Sequence, residues 1–188
     1  MEGGKGRGRR LGVSLGGAGL AAVAASVLYW QAVPGAPEVD RGLERAVLPV
    51  VDRYLTTDPA GPLGETELRG EDGSVPHGFC TERVIEIRRA GGGLRVGLAA
   101  WCGHYVRKGD GVTALDGVVT LGVVTVSPAS APARVGDAAW EPDGDATGWT
   151  RANFSAGGAA EARRLMSDGG SQLTDPEAEA RAAFGLPG

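Results

Sequence analysis

Two cysteines and two histidines carry the most legible chemistry in this 188-residue chain. They fall in two short segments, His77-Gly78-Phe79-Cys80 and Cys102-Gly103-His104. Two sulfurs and two imidazoles make a ligand set for tetrahedral zinc, and Cys102 and His104, two apart on an extended strand, share a face. The competing chemistry is a disulfide between Cys80 and Cys102, expected where the compartment is oxidising and the cysteine count is even. The Cys-x-His spacing is tighter than the two-residue gap usual for zinc, so the disulfide is the expected role and His77, Cys80, Cys102 and His104 as metal ligands the alternative. Closing a loop of about twenty residues, the bridge stabilises the fold by about 3 kcal/mol in the chain-entropy picture.

Carboxylates come next. Glu82 and Glu86 flank Val84, and on a regular strand all three lie on one face, which makes the two acids a candidate pair for acid–base work. Thr81, Arg83 and Arg88 surround them, and ordinary surface pairing is the expectation. Asp137, Glu141, Asp143 and Asp145 cluster around a turn without the calcium-loop pattern and read as a solvated acidic loop. Asn153-Phe154-Ser155 matches the glycosylation acceptor pattern. Gly12-Val13-Ser14-Leu15-Gly16 fits a nucleophile elbow and Gly17 to Ala22 a dinucleotide fingerprint, yet both need a strand-turn-helix setting that their apolar surroundings do not offer. No residue is assigned a catalytic role, and no cofactor is expected.

The elements that must position these groups follow from periodicity. Arg41 to Leu55 carries apolar residues at helical spacing, interrupted by Pro49, so the helix either kinks there or starts near Leu48. Thr57-Asp58-Pro59 ends it, and residues 58–78, rich in Gly, Pro, Asp and Glu, form a long loop. From Phe79 the period becomes two. Segments 79–89, 94–107 and 118–127 read as strands, with 134–140 as a fourth, and they predict an antiparallel sheet with one wet face. Turns are marked at 90–93, Asp110-Gly111 and Asp116-Gly117. Gly158 to Met166 is a short helix, and Thr174-Asp175-Pro176-Glu177 is a capping box for a last one ending at Phe184, Ala-rich, polar and expected to be mobile.

The register around the cysteines depends on the first hairpin. With a three-residue loop at 90–92, partners sum to 182 and Cys80 stands opposite Cys102; with a two-residue Gly91-Gly92 turn they sum to 183, pairing Ile87 with Val96 and Ile85 with Leu98. A bulge near residues 81–83 reconciles the two.

Compartment is read from the amino terminus. Residues 1–10 carry Lys5, Arg7, Arg9 and Arg10 against Glu2, and no charge follows until Glu38. Leu11 to Trp30, about twenty residues, is long enough for a hydrocarbon core of about 30 Å. Basic residues before it hold that end in the cytoplasm, and Tyr29 and Trp30 suit the membrane interface. The expected organisation is a basic segment 1–10, a transmembrane signal anchor 11–32, a linker 33–42, an extracytoplasmic α+β domain 43–166 and a mobile tail 167–188. Ala22-Val23-Ala24 also resembles a signal-peptide cleavage site, which is the alternative. Beyond the cytoplasmic segment the chain holds 15 basic against 22 acidic side chains, a net of −7 that disfavours nucleic acid as a partner. The expected partners are the membrane, through the amino-terminal helix, and an envelope protein or a second copy. Scarce Lys, Ile and Asn beside abundant Gly, Ala, Val and Arg reflect a high-GC bacterial genome.

One or two helices on a curved antiparallel sheet of about four strands, preceded by a long loop, resembles the α+β roll of the cystatin-like and nuclear transport factor two-like superfamily. The run Phe79 to Glu86, with Trp140 to Asp145 and Trp149 to Phe154, is similar to membrane-anchored proteins of actinobacteria, over roughly residues 43–166. Taken together, these features lead us to expect an extracytoplasmic binding or accessory module for a cell-envelope protein or small ligand. Enzymes on this roll, isomerases and dehydratases, place acids, His or Tyr in the cone, which makes His104 and Tyr105 the positions to watch in a cavity enzyme.

Exported without reductant, the domain from Pro34 onward is expected to show no free thiol and no bound metal by thiol titration and elemental analysis. Two thiols with one equivalent of zinc would reverse the assignment of the cysteines.

Overall fold

The computed structural model describes residues 35–187 apart from 66, 144, 145, 168 and 171. The chain divides into two units, Met1–Pro34 and Gly35–Gly188. The first lies outside the described residues, and with it the expected basic segment 1–10, the whole of the expected anchor 11–32 and the two glycine motifs inside it. Among the described residues no helix is long and apolar enough to cross a membrane.

The second unit is α+β: helix α1 (Arg41–Thr57), strands β1 (His77–Ala90), β2 (Gly93–Lys108), β3 (Gly111–Ser127) and β4 (Arg134–Trp140), then helices α2 (Ala146–Asn153), α3 (Ala156–Met166) and α4 (Glu177–Ala183). The strands form one antiparallel meander in the order β1-β2-β3-β4. Asp40 caps α1 by accepting from the backbone N–H of Gly42 and Leu43 at 2.7 and 3.0 Å. Val47, Val51 and Leu55, each four residues apart, give α1 one fully buried stripe. Pro49 is exposed on another side of the helix, which runs on through it from Arg41 rather than starting near Leu48. On the wet side water can satisfy the carbonyl that loses its proline-blocked partner.

The expected wet face of the sheet is absent from its centre. Val47, Val51 and Leu55 of α1 pack with Leu94, Val96, Leu98, Ala100, Val124 and Val126 on one face. On the other, Ile85, Ala99, Leu121 and Val123 pack with Phe154 and with Ala159, Ala162 and Leu165 of α3. The central strand β2 is therefore buried on both sides along most of its length. Such a strand reads as a near-continuous apolar run rather than an alternation, and Leu94 to Val106 carries only Arg95 as a formal charge.

Strand β3 begins at Gly111, seven residues before the sequence boundary at Val118, because Asp116-Gly117 is not a turn. It sits inside the β2–β3 ladder beside a bulge: His104 pairs with Asp116 and Tyr105 with Ala114, leaving Leu115 as the extra residue. The hairpin turns instead at Gly109-Asp110, where Gly109 takes a φ of +59°. Within the segment expected as a mobile tail (167–188), Leu173, Pro176, Ala180 and Leu186 are buried. Thr174 does not cap α4; the Asp175 carboxylate accepts from the backbone N–H of Glu177 at 2.8 Å, and the Thr174 carbonyl is taken by the Thr81 hydroxyl.

Leu55→Ala is expected to cost roughly 2–5 kcal/mol by urea denaturation, since it opens a cavity between α1 and the sheet. Leu68→Ala, at a residue 38% exposed, should shift stability by no more than about 0.5 kcal/mol.

Candidate functional site

The cysteines are brought together by the β1–β2 ladder. From His77 to Val84 the partners sum to 182, so Cys80 faces Cys102; from Glu86 to Ala90 they sum to 183, closing on a two-residue Gly91-Gly92 turn. Gly91 adopts the φ of +57° that this tight turn requires. Both registers coexist because Ile85 is a bulge, two residues beyond the 81–83 window. The sulfurs are 2.10 Å apart and the Cα atoms 4.1 Å, a disulfide buried to 1% and 0% exposure in the core beneath α1.

The zinc set does not assemble. Its two sulfurs are bonded to each other, and no group of three or more His, Cys, Asp and Glu among the described residues could hold a metal ion. The His77 ring is edge-on to Phe184, with centroids 5.5 Å apart. His104 is buried beside Asp116, its cross-strand partner, with Nδ1 2.8 and 3.0 Å from the two carboxylate oxygens. Asp116 also accepts from the His104 backbone N–H at 3.0 Å. Anchoring Nδ1 in this way fixes the ring and leaves its remaining proton chemistry to Nε2. Tyr105 points into the seat of the C-terminal segment and donates to Asp175 at 3.0 Å. Burial, then this bond, raises its phenol above the ordinary value, so it stays a donor.

Glu82 and Glu86 are not a pair. The bulge at Ile85 turns the strand over between them: Val84 and Ile87 both face the core under α1, while Ile85 and Glu86 face α3. Glu86 is 3% exposed and fully engaged. It accepts from the backbone N–H of Ser155 at 3.1 and 3.2 Å and from its hydroxyl, and it pairs with Arg88 at 2.9 Å. Ser155 is the N-cap of α3 and its hydroxyl oxygen also accepts from Gly158 N–H at 3.0 Å. A Cβ at Gly158 would collide with the Glu86 carboxylate, so glycine is needed there for the close approach. Glu86 thus serves structure, holding the start of α3 to the sheet. Ser155 ahead of an Ala- and Gly-rich helix is a capping signal present in the sequence; its partner sixty-nine residues earlier is not.

Glu82, half-buried on the α1 side, is pushed up to about 7, first by burial and then by the charges of Asp52 and Glu179. Of the acidic turn, Asp137 and Asp143 are exposed and Asp145 lies outside the described residues. Glu141 is half-buried and raised by burial, and its Oε2 is buried without a hydrogen-bond partner. The acceptor-pattern residues Asn153 and Ser155 are occupied in packing: Asn153 accepts from Arg95 at 3.1 Å and donates to the Trp149 carbonyl at 3.0 Å.

Clefts lie at the rims of the sheet. One of about 190 Å³ at the β2–β3 turn is lined by Glu71, Asp72, Val106, Lys108, Thr113 and Leu115 among others. One of about 440 Å³ at the opposite end is lined by Gly92, Gly93, Thr125, Ser127, Pro128 and Arg134 among others, and His104 lines neither. No family model, curated protein or solved structure matches this chain.

Glu86→Ala should lower stability by about 2–3 kcal/mol, because it strands the Ser155 N–H and hydroxyl in a buried setting. Ser155→Ala should cost about 1 kcal/mol. The double variant should cost less than the two losses added, since both act on one network, and full additivity in thermal unfolding would show that the two residues act independently.

Proposed function

We propose that the protein is a membrane-anchored, extracytoplasmic binding or accessory module of the bacterial cell envelope. The observation that carries this reading is the buried Cys80–Cys102 disulfide, a cross-link that forms and persists in oxidising compartments. The basic segment and uncharged stretch from Leu11 to Trp30 supply the anchor, with the amino terminus cytoplasmic. Helices on both sides of the sheet fill with side chains the space in which a cavity enzyme would hold substrate. Recognition is then a matter of surface, toward an envelope protein or a second copy rather than nucleic acid. On the same reading the helix, loop and antiparallel sheet correspond to elements of the cystatin-like and nuclear transport factor two-like roll.

A second reading has one observation in its favour. The His104–Asp116 pair has the carboxylate-to-Nδ1 arrangement that orients an imidazole as a general base. In this reading the protein is a small cavity enzyme, and a substrate reaches Nε2.

Alkaline phosphatase joined after Gly188 of the full chain tests the principal reading. The expected result is active phosphatase in the membrane fraction, on a chain that retains Met1 and titrates no thiol. Inactive phosphatase with two free thiols would overturn it, and an active soluble chain shortened near Ala24 would replace the anchor with a cleaved signal.

A further inference from the structure

At the end of the sheet that carries the Gly91-Gly92 turn, the register sets polar residues side by side. Arg88 pairs with Arg95 and Arg95 with Thr125 in one row, and Ser127 pairs with Arg134 in the next. Leu94, Val124, Val126 and Val135 beside them belong to the core under α1. By strand alternation Arg95, Thr125, Ser127 and Arg134 therefore stand on the opposite face. Farther along, that face is covered by Phe154 and by Ala159, Ala162 and Leu165 of α3. At this end it is open, and the cleft of about 440 Å³ lies over it, lined by residues of the strands and their connections.

Glycine makes the floor of the cleft. A Cβ at Gly93 would stand 2.9 Å from the Val126 carbonyl oxygen and 3.2 Å from Thr125 Cγ2, so a side chain there would crowd the ladder and fill the space beside Thr125. The Thr125 and Ser127 hydroxyls and the Arg134 guanidinium line this space, and none of the three makes a hydrogen bond or ion pair with another described residue. The next two cations on the face are held in place. Arg88 pairs with Glu86 at 2.9 Å, and Arg88 and Arg95 donate to the Asn153 carbonyl at 3.2 and 3.1 Å. The acids of this end are Glu86, already matched by Arg88, and Asp137, exposed three residues beyond Arg134.

We propose that the cleft over Gly93 binds a small anionic sugar, with Arg134 taking its carboxylate or phosphoryl oxygens and Thr125 and Ser127 its hydroxyls. A guanidinium offers two parallel N–H donors that match either anion. A hydroxyl both donates and accepts, as a sugar hydroxyl does. Pro128 gives the cleft an apolar edge for the C–H face of the ring. The volume suits one or two sugar units, since small-molecule sites run from roughly 300 to 1,000 Å³. This inference rests on the reading of the protein as a binding module and names the ligand class of that module; it does not depend on the compartment.

Nuclear magnetic resonance titration of the isotope-labelled full chain, in a detergent without a sugar headgroup, tests it with glucuronate, glucose-6-phosphate, glucose and inorganic phosphate. At least one of the two sugar acids is expected to shift the amides of Gly93 and Arg134 saturably, about tenfold more tightly than glucose or phosphate. The tighter of the two identifies the anion. Arg134→Gln should weaken that binding about tenfold, Thr125→Val and Ser127→Ala should each weaken it less, and Arg45→Gln, on α1 across the sheet, should bind like the parent. No saturable binding of either sugar acid, binding of glucose or phosphate as tight as theirs, or equal weakening by Arg45→Gln and Arg134→Gln would each overturn the proposal. A chain that is exported and anchored yet gives any of these results loses the sugar site and keeps its place in the envelope.

Discussion

The single extra residue in β1, Ile85, is the constraint on which the rest of the structure depends. A two-residue glycine turn and a disulfide between Cys80 and Cys102 demand registers that differ by one, and a regular ladder can satisfy only one of them. The bulge absorbs the difference. Its second effect is to reverse the strand face, so that Val84 and Ile87 belong to one core while Ile85 and Glu86 belong to the other. The same distortion that aligns the cysteines therefore delivers a carboxylate to the first turn of α3.

Coverage on both sides follows from having a long, nearly uncharged central strand. A sheet face left open would expose Ala99 of β2 with Leu121 and Val123 of β3 to water, and α3 with Phe154 removes that cost. Close approach is bought with glycine: a side chain at Gly97 would strike the Phe154 ring, and one at Gly122 the ring of Trp140. Trp140 in turn stacks on Tyr54 at 6.4 Å and donates to the Ala60 carbonyl at 3.3 Å, tying β4 to the end of α1.

Polar groups in the interior are of two kinds. Glu86 and Asp175 are matched to donors at helix starts, where a carboxylate offsets orphan N–H groups and the helix dipole. Glu86 is thereby a fastening between the sheet and α3. Glu82 is raised first by burial and then by the neighbouring charges of Asp52 and Glu179.

The sequence by itself determined the α+β class, the four strands and a helix ahead of them, and it posed the conflict between hairpin turn and cysteine pairing that a bulge resolves. Each of these rests on local period, turn residues or register arithmetic. The position of the bulge, the separation of Glu82 from Glu86 and the pairing of His104 with Asp116 were decided only in the tertiary structure. Strand alternation places Glu82 and Glu86 on one face unless an extra residue intervenes, and nothing local in Val84-Ile85-Glu86 announces one. Asp116-Gly117 has the composition of a turn, yet the ladder with β2 runs through it because hairpin closure at Gly109-Asp110 is set by the pairing of distant residues. The C-terminal segment is polar and Ala-rich, so its sequence shows little to bury. Its hold on Thr81, Tyr105 and Phe79 comes from residues about seventy or more positions away, which only the folded chain brings within reach.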